Sequence, residues 1–151
     1  MGVLRLCDVE HMFIHCSAAP NHYTAVDVDD WHRQRGFKRD DGRLGELRHI
    51  GYHRYIEADG TIVEGRDWDE VGAQVQSYNH CSWGVCLAGD GKFTREQWHS
   101  LRRIVEERLR VKRVRVRGHC EVDSNKTCPN FTVKRWLAYA MDPLPGHIVG
   151  E

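Results

Sequence analysis

The chain has 151 residues, 40% of them hydrophobic and 29% charged, and its formal net charge at pH 7 is zero. This length suits one domain with its own core and is too short for two domains of ordinary size. No stretch approaches the roughly 18 consecutive apolar residues of a membrane span, and residues 1–10 lack the apolar core of an export signal. We therefore expect a soluble single domain over residues 1–151, with tails at 1–10 and 142–151, that is neither inserted in a membrane nor exported.

The six cysteines, an even number, could in an exported chain form a disulfide framework. Without an export signal, cysteines are more often buried thiols, metal ligands or nucleophiles. No Cys-x-x-Cys pair is present, which excludes a thioredoxin motif and a zinc ribbon. We expect Cys16, Cys81, Cys86 and Cys120 to be structural thiols.

The first third of the chain predicts a strand followed by a helix. Residues 11–17 (HMFIHCS) form a short apolar run typical of a central strand, with His15 and Cys16 at its end. The segment DVDDWHRQRG predicts a short helix with Asp27 as its N-cap and Gly36 just beyond its last turn.

The middle of the chain predicts a loop and a hairpin. Residues 39–47 are polar and charged, which is typical of a loop. Residues 52–57 and 61–64 flank an Asp59-Gly60 pair, which predicts a β-hairpin with a type I′ turn. On a regular strand His53 would point away from the face of its neighbour Tyr52, so we expect a packed histidine there.

The second half predicts two strands and two helices. Residues 83–88 predict a buried strand, and Thr94 with Gln97 predicts a capping box that opens a long helix. Val114 and Val116 alternate with arginines, a strand pattern, and a last helix is predicted from Thr132. The order indicates an α/β fold, with a single mixed β-sheet flanked by about three α-helices.

Charge is distributed unevenly along the chain. Basic residues far outnumber acidic ones between residues 92 and 117. Such a segment could meet nucleic acid, an anionic polymer or an acidic protein surface. Because no aromatic residues are interleaved with the charges between residues 102 and 117, a solvated helix face with the outward row of an edge strand is the preferred interpretation, and we expect no nucleic acid partner.

Two histidines and a cysteine are candidates for a metal site. His15 ends the first strand, His119 follows the basic strand, and Cys128 lies in a loop. Zinc accepts imidazole nitrogen and thiolate sulfur, and three protein ligands leave a fourth position for water. The spacing alone leaves open that each histidine is structural and that Cys128 is a plain buried thiol.

Four segments in order carry a family resemblance. They are FIHCSA at 13–18, GYHRYIEADGTIVEGRD at 51–67, YNHCSWGVCLAGDGKF at 78–93 and GHCEVDSNKTCPNFTVKRW at 118–136. Together they resemble the type 2 N-acetylmuramoyl-L-alanine amidase family. That family includes peptidoglycan recognition proteins and small phage lysozymes, one of which also inhibits the RNA polymerase of its phage.

The resemblance implies roles for particular residues. His15, His119 and Cys128 would bind one zinc ion per chain, and Tyr52 and Lys126 would assist catalysis. From the sequence alone, the preferred interpretation is that Tyr52 is a strand aromatic and Lys126 a solvated loop residue. The family often has a histidine before its Tyr-Asn pair, where this chain has Gln74, which cannot titrate but can hydrogen-bond.

Gln74 and Asn79 are accordingly assigned to substrate binding. The function that the resemblance implies is zinc-dependent hydrolysis of the amide between the muramoyl lactyl group and L-alanine of peptidoglycan. We expect a monomeric phage endolysin that stays in the host cytoplasm until a separate holin releases it to the wall. The alternatives are a peptidoglycan-recognition module without catalysis and an amidase that also regulates a phage RNA polymerase.

Overall fold

The computed structural model describes residues 2–40, 43 and 45–151. Over this part of the chain the strands are β1 (His11–Cys16), β2 (Arg54–Ile56), β3 (Ile62–Glu64), β4 (Ser82–Leu87) and β5 (Arg115–Gly118). They form one sheet in the order β3-β2-β4-β1-β5. The strand β3 is antiparallel to β2, and the other neighbouring pairs are parallel. The predicted mixed α/β sheet is confirmed.

Three α-helices pack on the sheet within the described residues: α1 (Ala25–Gln34), α2 (Arg95–Val111) and α3 (Val133–Ala138). The central strand β1 pairs with β4 along its whole length and with β5 over its first four residues, and all six of its residues are buried. Side chains alternate between the two faces of a strand. β1 therefore separates two different environments.

One face of the sheet carries a large apolar core. Met12 and Ile14 of β1 pack there with Trp98 of α2 and Trp136 of α3. The Trp98 ring lies 4.8 Å from the Phe131 ring, centroid to centroid, in an edge-on contact. Edge-on aromatic pairs combine large apolar burial with favourable quadrupole geometry, so this core fixes α2 and α3 against the sheet.

The long helix α2 begins as the sequence predicts. The Thr94 side chain accepts a hydrogen bond from the Gln97 backbone N–H at 3.1 Å, and Gln97 Oε1 accepts from the Thr94 N–H at 2.9 Å. The buried Gln97 amide also donates to the carbonyls of Ile56 and Ala88. The capping box thus ties the helix start to the ends of β2 and β4.

The helix α1 covers the opposite face, and its predicted N-cap is wrong. Thr24 is the N-cap, with extended backbone angles, and Asp27 is the third helical residue. The Asp27 carboxylate accepts from the Thr24 N–H at 2.8 Å, which completes a capping box. Asp is favoured both at the N-cap and in the first turn of a helix. The sequence therefore predicted the start of α1 three residues too late.

The hairpin of β2 and β3 is confirmed, but its type I′ turn is wrong. A type I′ turn needs positive φ at both central residues. Gly60 has φ +89°, whereas Asp59 does not have positive φ. The Gly60 N–H donates to the Glu57 carbonyl at 2.9 Å, so the loop is one residue longer. A Cβ at Gly60 would lie 2.8 Å from the Glu96 Cβ of α2, so the helix also favours glycine there.

Both segments predicted as tails contribute to the packed structure. Leu4 and Val9 are buried, and Val3 forms an isolated bridge with Glu70. Near the other end, Leu144 and Ile148 are buried in the main core. No α-helix in the described ranges has the length and apolar character required to cross a membrane.

The six cysteines are all free thiols, as expected. Cys16, Cys81 and Cys86 are buried, as structural thiols should be, but Cys120 is exposed.

The basic segment also differs from a purely solvated face. Arg108 is buried, with its guanidinium 4.4 Å from the ring centroids of both Trp68 and Trp83, where cation–π contact takes the place of water.

Candidate metal centre

Two parallel strands bring the candidate ligands to one edge of the sheet. His15 is the penultimate residue of β1, and His119 directly follows β5. Because β1 and β5 are parallel neighbours, their carboxyl ends meet at the same edge. Cys128 arrives on a loop whose backbone carbonyl accepts a hydrogen bond from the Cys120 N–H at 3.0 Å. Residues far apart in the chain thus converge.

The donor atoms of these three residues are spaced as a zinc site requires. Cys128 Sγ lies 3.5 Å from His119 Nδ1 and 3.8 Å from His15 Nδ1, and all three donor atoms lie within 4.8 Å of one another. Zinc–sulfur and zinc–nitrogen bonds of about 2.3 Å and 2.0–2.1 Å at tetrahedral angles separate their ends by about 3.5 Å. The side chains therefore fit a zinc ion with an open fourth position.

A hydrogen bond behind one ligand and a nearby carboxylate behind the other orient the two histidines. His15 Nε2 lies 2.6 Å from Gln74 Oε1, and the Gln74 amide nitrogen donates to Ser82 Oγ at 2.7 Å. Since the amide oxygen can only accept, His15 carries its proton on Nε2 and its lone pair on Nδ1. On the second histidine, Nε2 lies 3.7 Å from Asp123 Oδ2. Such partners fix the tautomer and ring orientation of metal ligands.

The electrostatics of the site favour neutral imidazoles. Burial, followed by the neighbouring His119, lowers the pKa of His15 to about 3. Burial also lowers the pKa of His119, although Asp123 opposes this shift. For Cys128, burial raises the pKa of the thiol. Because a metal ion binds the thiolate, loading the site would release the Cys128 proton.

The ligands line a cleft of about 650 Å³. All the residues predicted for the site border this one cleft: His15, Tyr52, Gln74, Asn79, His119, Lys126 and Cys128. The Tyr52 ring centroid lies 5.0 Å from that of His15. Lys126 is exposed at the cleft. After burial, its positive charge also lowers the pKa of His119. Both residues therefore border the same cleft as the three candidate ligands.

The environment of Tyr52 limits what its hydroxyl can do. Burial, and then the nearby Cys86 thiol, raises the pKa of Tyr52 well above its usual value. The phenol therefore stays protonated at neutral pH, and it can donate a hydrogen bond but cannot act as a base from the phenolate form.

The sequence of this chain matches that of a known protein family. The family model described as N-acetylmuramoyl-L-alanine amidase matches residues 6–131, which include every residue of the predicted site. The chain belongs to the N-acetylmuramoyl-L-alanine amidase family. The predicted family and enzyme class are confirmed, and this protein is an amidase that acts on a linear amide.

Relatives of this amidase span most of its length. The endolysin of Escherichia phage T7 is 37% identical over 136 residues, which is 83% of this chain and 83% of the relative. The endolysin of Enterobacteria phage T3 is 36% identical over 138 residues, 84% of each chain. The solved structure of the amidase LysC from Clostridium intestinale URNW is 26% identical, with a TM-score of 0.74 over 88% of this chain and 85% of that one.

Two residues assigned to substrate are also tied into the wall of the cleft. Both polar atoms of the Gln74 amide are engaged, by His15 and by Ser82. Asn79 Oδ1 accepts from the backbone N–H groups of Gln74 and Val75 at 2.9 and 3.0 Å. Their position in the amidase is therefore clear, whereas their contact with substrate stays a prediction.

Sequence reasoning missed His32 of the amidase. This residue is buried in α1 and borders the cleft, and its Nδ1 accepts the Gly51 N–H at 2.8 Å. Its ring lies 5.3 Å from that of Tyr52, centroid to centroid. The spacing from Val28 to His32 places both on the inward face of α1, and this periodicity was the signal that could have identified it. Arg35 and Phe37, just beyond the end of the same helix, also line the cleft.

Proposed function

We propose that this amidase is a zinc-dependent endolysin that cleaves the amide between the muramoyl lactyl group and L-alanine of peptidoglycan. The observation that carries the proposal is the convergence of His15, His119 and Cys128 at zinc-like separations on the wall of a substrate-sized cleft. Phage relatives named endolysins support the role in lysis. As such an enzyme it would reach the wall once the membrane has been opened.

The chemistry divides between the ion and the chain. A zinc ion held by the three ligands would supply a Lewis acid for the scissile carbonyl and lower the pKa of water at its open position toward about 7. The chain holds the ligands rigidly, since His15 is clamped by Gln74 and His119 follows a paired strand. Preorganisation of this kind avoids reorientation during the reaction.

Tyr52 and Lys126 are proposed as the catalytic side chains. Attack on an amide places negative charge on the former carbonyl oxygen, which a nearby donor or cation stabilises. The protonated Tyr52 hydroxyl can donate one hydrogen bond there, and the Lys126 ammonium can supply positive charge from the cleft wall. Support comes from their positions beside the ligands and from the raised Tyr52 pKa.

Substrate contacts from Gln74 and Asn79 are also proposed. Asn79 uses its Oδ1 to hold the loop, which leaves its amide nitrogen to donate to a carbonyl of the sugar or peptide. Gln74 would act on substrate mainly through His15, since its own amide is engaged on both sides.

The test is to follow the products released from purified cell walls. We expect new free amino termini and no new reducing sugar ends, because the bond cleaved is an amide. The matched control is Cys128→Ala, which keeps the cleft but loses a ligand and should release neither product. Reducing ends would identify a glycosidase instead, and binding to walls without release of any product would identify a recognition module.

A further inference from the structure

We propose that Glu10, His11 and Cys81 form a second metal site, which binds a divalent transition ion such as Zn²⁺. His11 begins β1, and Cys81 immediately precedes β4. These amino ends of two parallel strands meet at the edge of the sheet opposite the cleft. One donor atom from each of the three residues lies within 4.8 Å of the others. This second site is separate from the proposed catalytic function.

The backbone holds this second site in place. The Glu10 N–H donates to the Cys81 carbonyl at 2.8 Å, which joins the two segments that carry the donors. On the other side, the Glu10 carbonyl accepts from the Arg115 N–H at 3.0 Å. The His11 ring stacks on Phe13 at 5.3 Å and meets the edge of Tyr78 at 5.4 Å. The donors are therefore largely ordered before an ion arrives.

One ring nitrogen of the buried His11 has no hydrogen-bond partner among the described residues. Its residue is only 6% exposed, and Nδ1 is buried with no hydrogen bond to any described residue. Its other nitrogen, Nε2, lies 3.9 Å from Glu10 Oε2, beyond hydrogen-bond distance. Buried polar side-chain atoms are nearly always satisfied, so this imidazole points to a ligand.

The donor chemistry selects the class of ion. A thiolate and an imidazole favour zinc and similar transition ions over magnesium or calcium. The Cys81 thiolate and the Glu10 carboxylate together balance a charge of +2. Arg117, a nearby cation, is directed toward Glu121, with 3.6 Å between their charged atoms. The Glu10 side chain is 71% exposed, so it can move the short distance needed to close on the ion.

The test counts bound zinc by equilibrium dialysis of the full chain against Zn²⁺ alone. We expect two ions on the wild type, one on Cys81→Ser and one on Cys128→Ala. The control Cys7→Ser replaces an exposed thiol outside both sites and should keep two. With Co²⁺ in place of zinc, Cys128→Ala should retain a thiolate-to-cobalt absorption band that Cys81→Ser together with Cys128→Ala loses.

A second variant guards against misfolding, because Cys81 is buried. Glu10→Gln alters an exposed side chain, and loss of even an outer partner of a metal typically weakens binding by about 10–100-fold. We therefore expect Glu10→Gln to weaken the second binding event at least about tenfold. The second site is refuted if Cys81→Ser binds as many ions as the wild type or if Glu10→Gln binds them equally tightly. If the cleft site alone failed to bind zinc, the missing ion would be the one that depends on Cys128, and the ion at the second site would remain.

Discussion

The two faces of β1 share one backbone but carry side chains of different polarity. On one face Met12 and Ile14 lie fully buried among the aromatic rings of α2 and α3. On the other face, His11 and His15 are buried although their imidazole rings are polar. Burying apolar surface stabilises the fold, whereas burying imidazoles costs stability unless each finds a partner. The apolar face thus holds in place the ligands of the polar face, and substitutions on the two faces should have different consequences.

The largest expected effect follows from the loss of a ligand on the polar side. Cys128→Ala removes the thiolate, and activity should fall by more than about 100-fold, since even outer-shell changes at metal sites cost about 10–100-fold. The release of amino termini from cell walls measures it. Cys120→Ala, a change at an exposed neighbouring thiol, should keep most of the activity. A Cys128→Ala enzyme with more than a tenth of wild-type activity would contradict the ligand assignment.

The opposite behaviour is expected in the apolar core. Trp98→Ala leaves a cavity between Phe93, Phe131 and Trp136, and it should lower the free energy of unfolding by about 3–5 kcal/mol. Activity per folded molecule should change little, because Trp98 lies on the far side of the sheet from the cleft. Urea denaturation gives the first quantity, and assays at low temperature give the second. A folded variant that had lost its activity would show that the two faces are not separable.

Within the cleft, Lys126 should affect rate rather than metal content. Removing one group that stabilises developing charge typically costs about 10²–10³-fold in kcat. We expect a loss of this size for Lys126→Ala, with zinc content unchanged. The matched control is Lys134→Ala, at an exposed position of α3. An unchanged kcat would return Lys126 to the role of a solvated loop residue.

Much of this fold could be predicted because the signals are local. The capping box of Thr94 and Gln97 and the apolar run of β1 each depend on neighbours within a few residues. The N-cap of α1 was misplaced because Thr24 and Asp27 both suit the start of a helix. At the Asp59-Gly60 turn, Glu96 of α2 leaves no space for a side chain at Gly60, and no local pattern reveals this distant contact.

The candidate site was predicted mainly by resemblance to a family. Spacing alone could not join His15 to Cys128, since the contact depends on the order of strands in the sheet. The same reason explains why Glu10, His11 and Cys81 were not recognised as a group: their proximity depends on the parallel pairing of β1 with β4. Binding to a phage RNA polymerase stays an alternative, and the monomeric state stays a prediction of the sequence.

A smaller effect should follow when the support behind a ligand is removed. Gln74→Leu takes away the acceptor that orients His15, and zinc affinity should fall by about 10–100-fold. Competition with a chelator of known affinity measures it. Gln76→Leu, at an exposed position on the same cleft, is the control. Equal affinities for both variants would mean that the Gln74 contact does not support the metal site.

A further effect, visible only on acidification, is a pH dependence of stability from the packed His53. Its Nδ1 accepts the Gly84 N–H, and burial lowers its pKa to about 3 from the usual 6.5. The unfolded chain therefore binds a proton between pH 6.5 and 3 that the folded chain does not. This contribution to stability is complete above pH 6.5 and is lost as the pH falls toward 3, with a slope of about 1.4 kcal/mol per pH unit.

Urea denaturation at several pH values checks this slope. In His53→Gln the dependence on pH should be shallower by about one proton, whatever the stability of the variant at pH 7. An identical slope in the two proteins would show that His53 is not held neutral by its burial.

The most direct test of the central claim is to remove metal with a chelator, return Zn²⁺ in measured amounts and follow the release of amino termini from peptidoglycan. The stripped amidase should be inactive, and activity should return in step with the first ion that Cys128 helps to bind. Full activity in the metal-free protein would contradict a zinc-dependent mechanism.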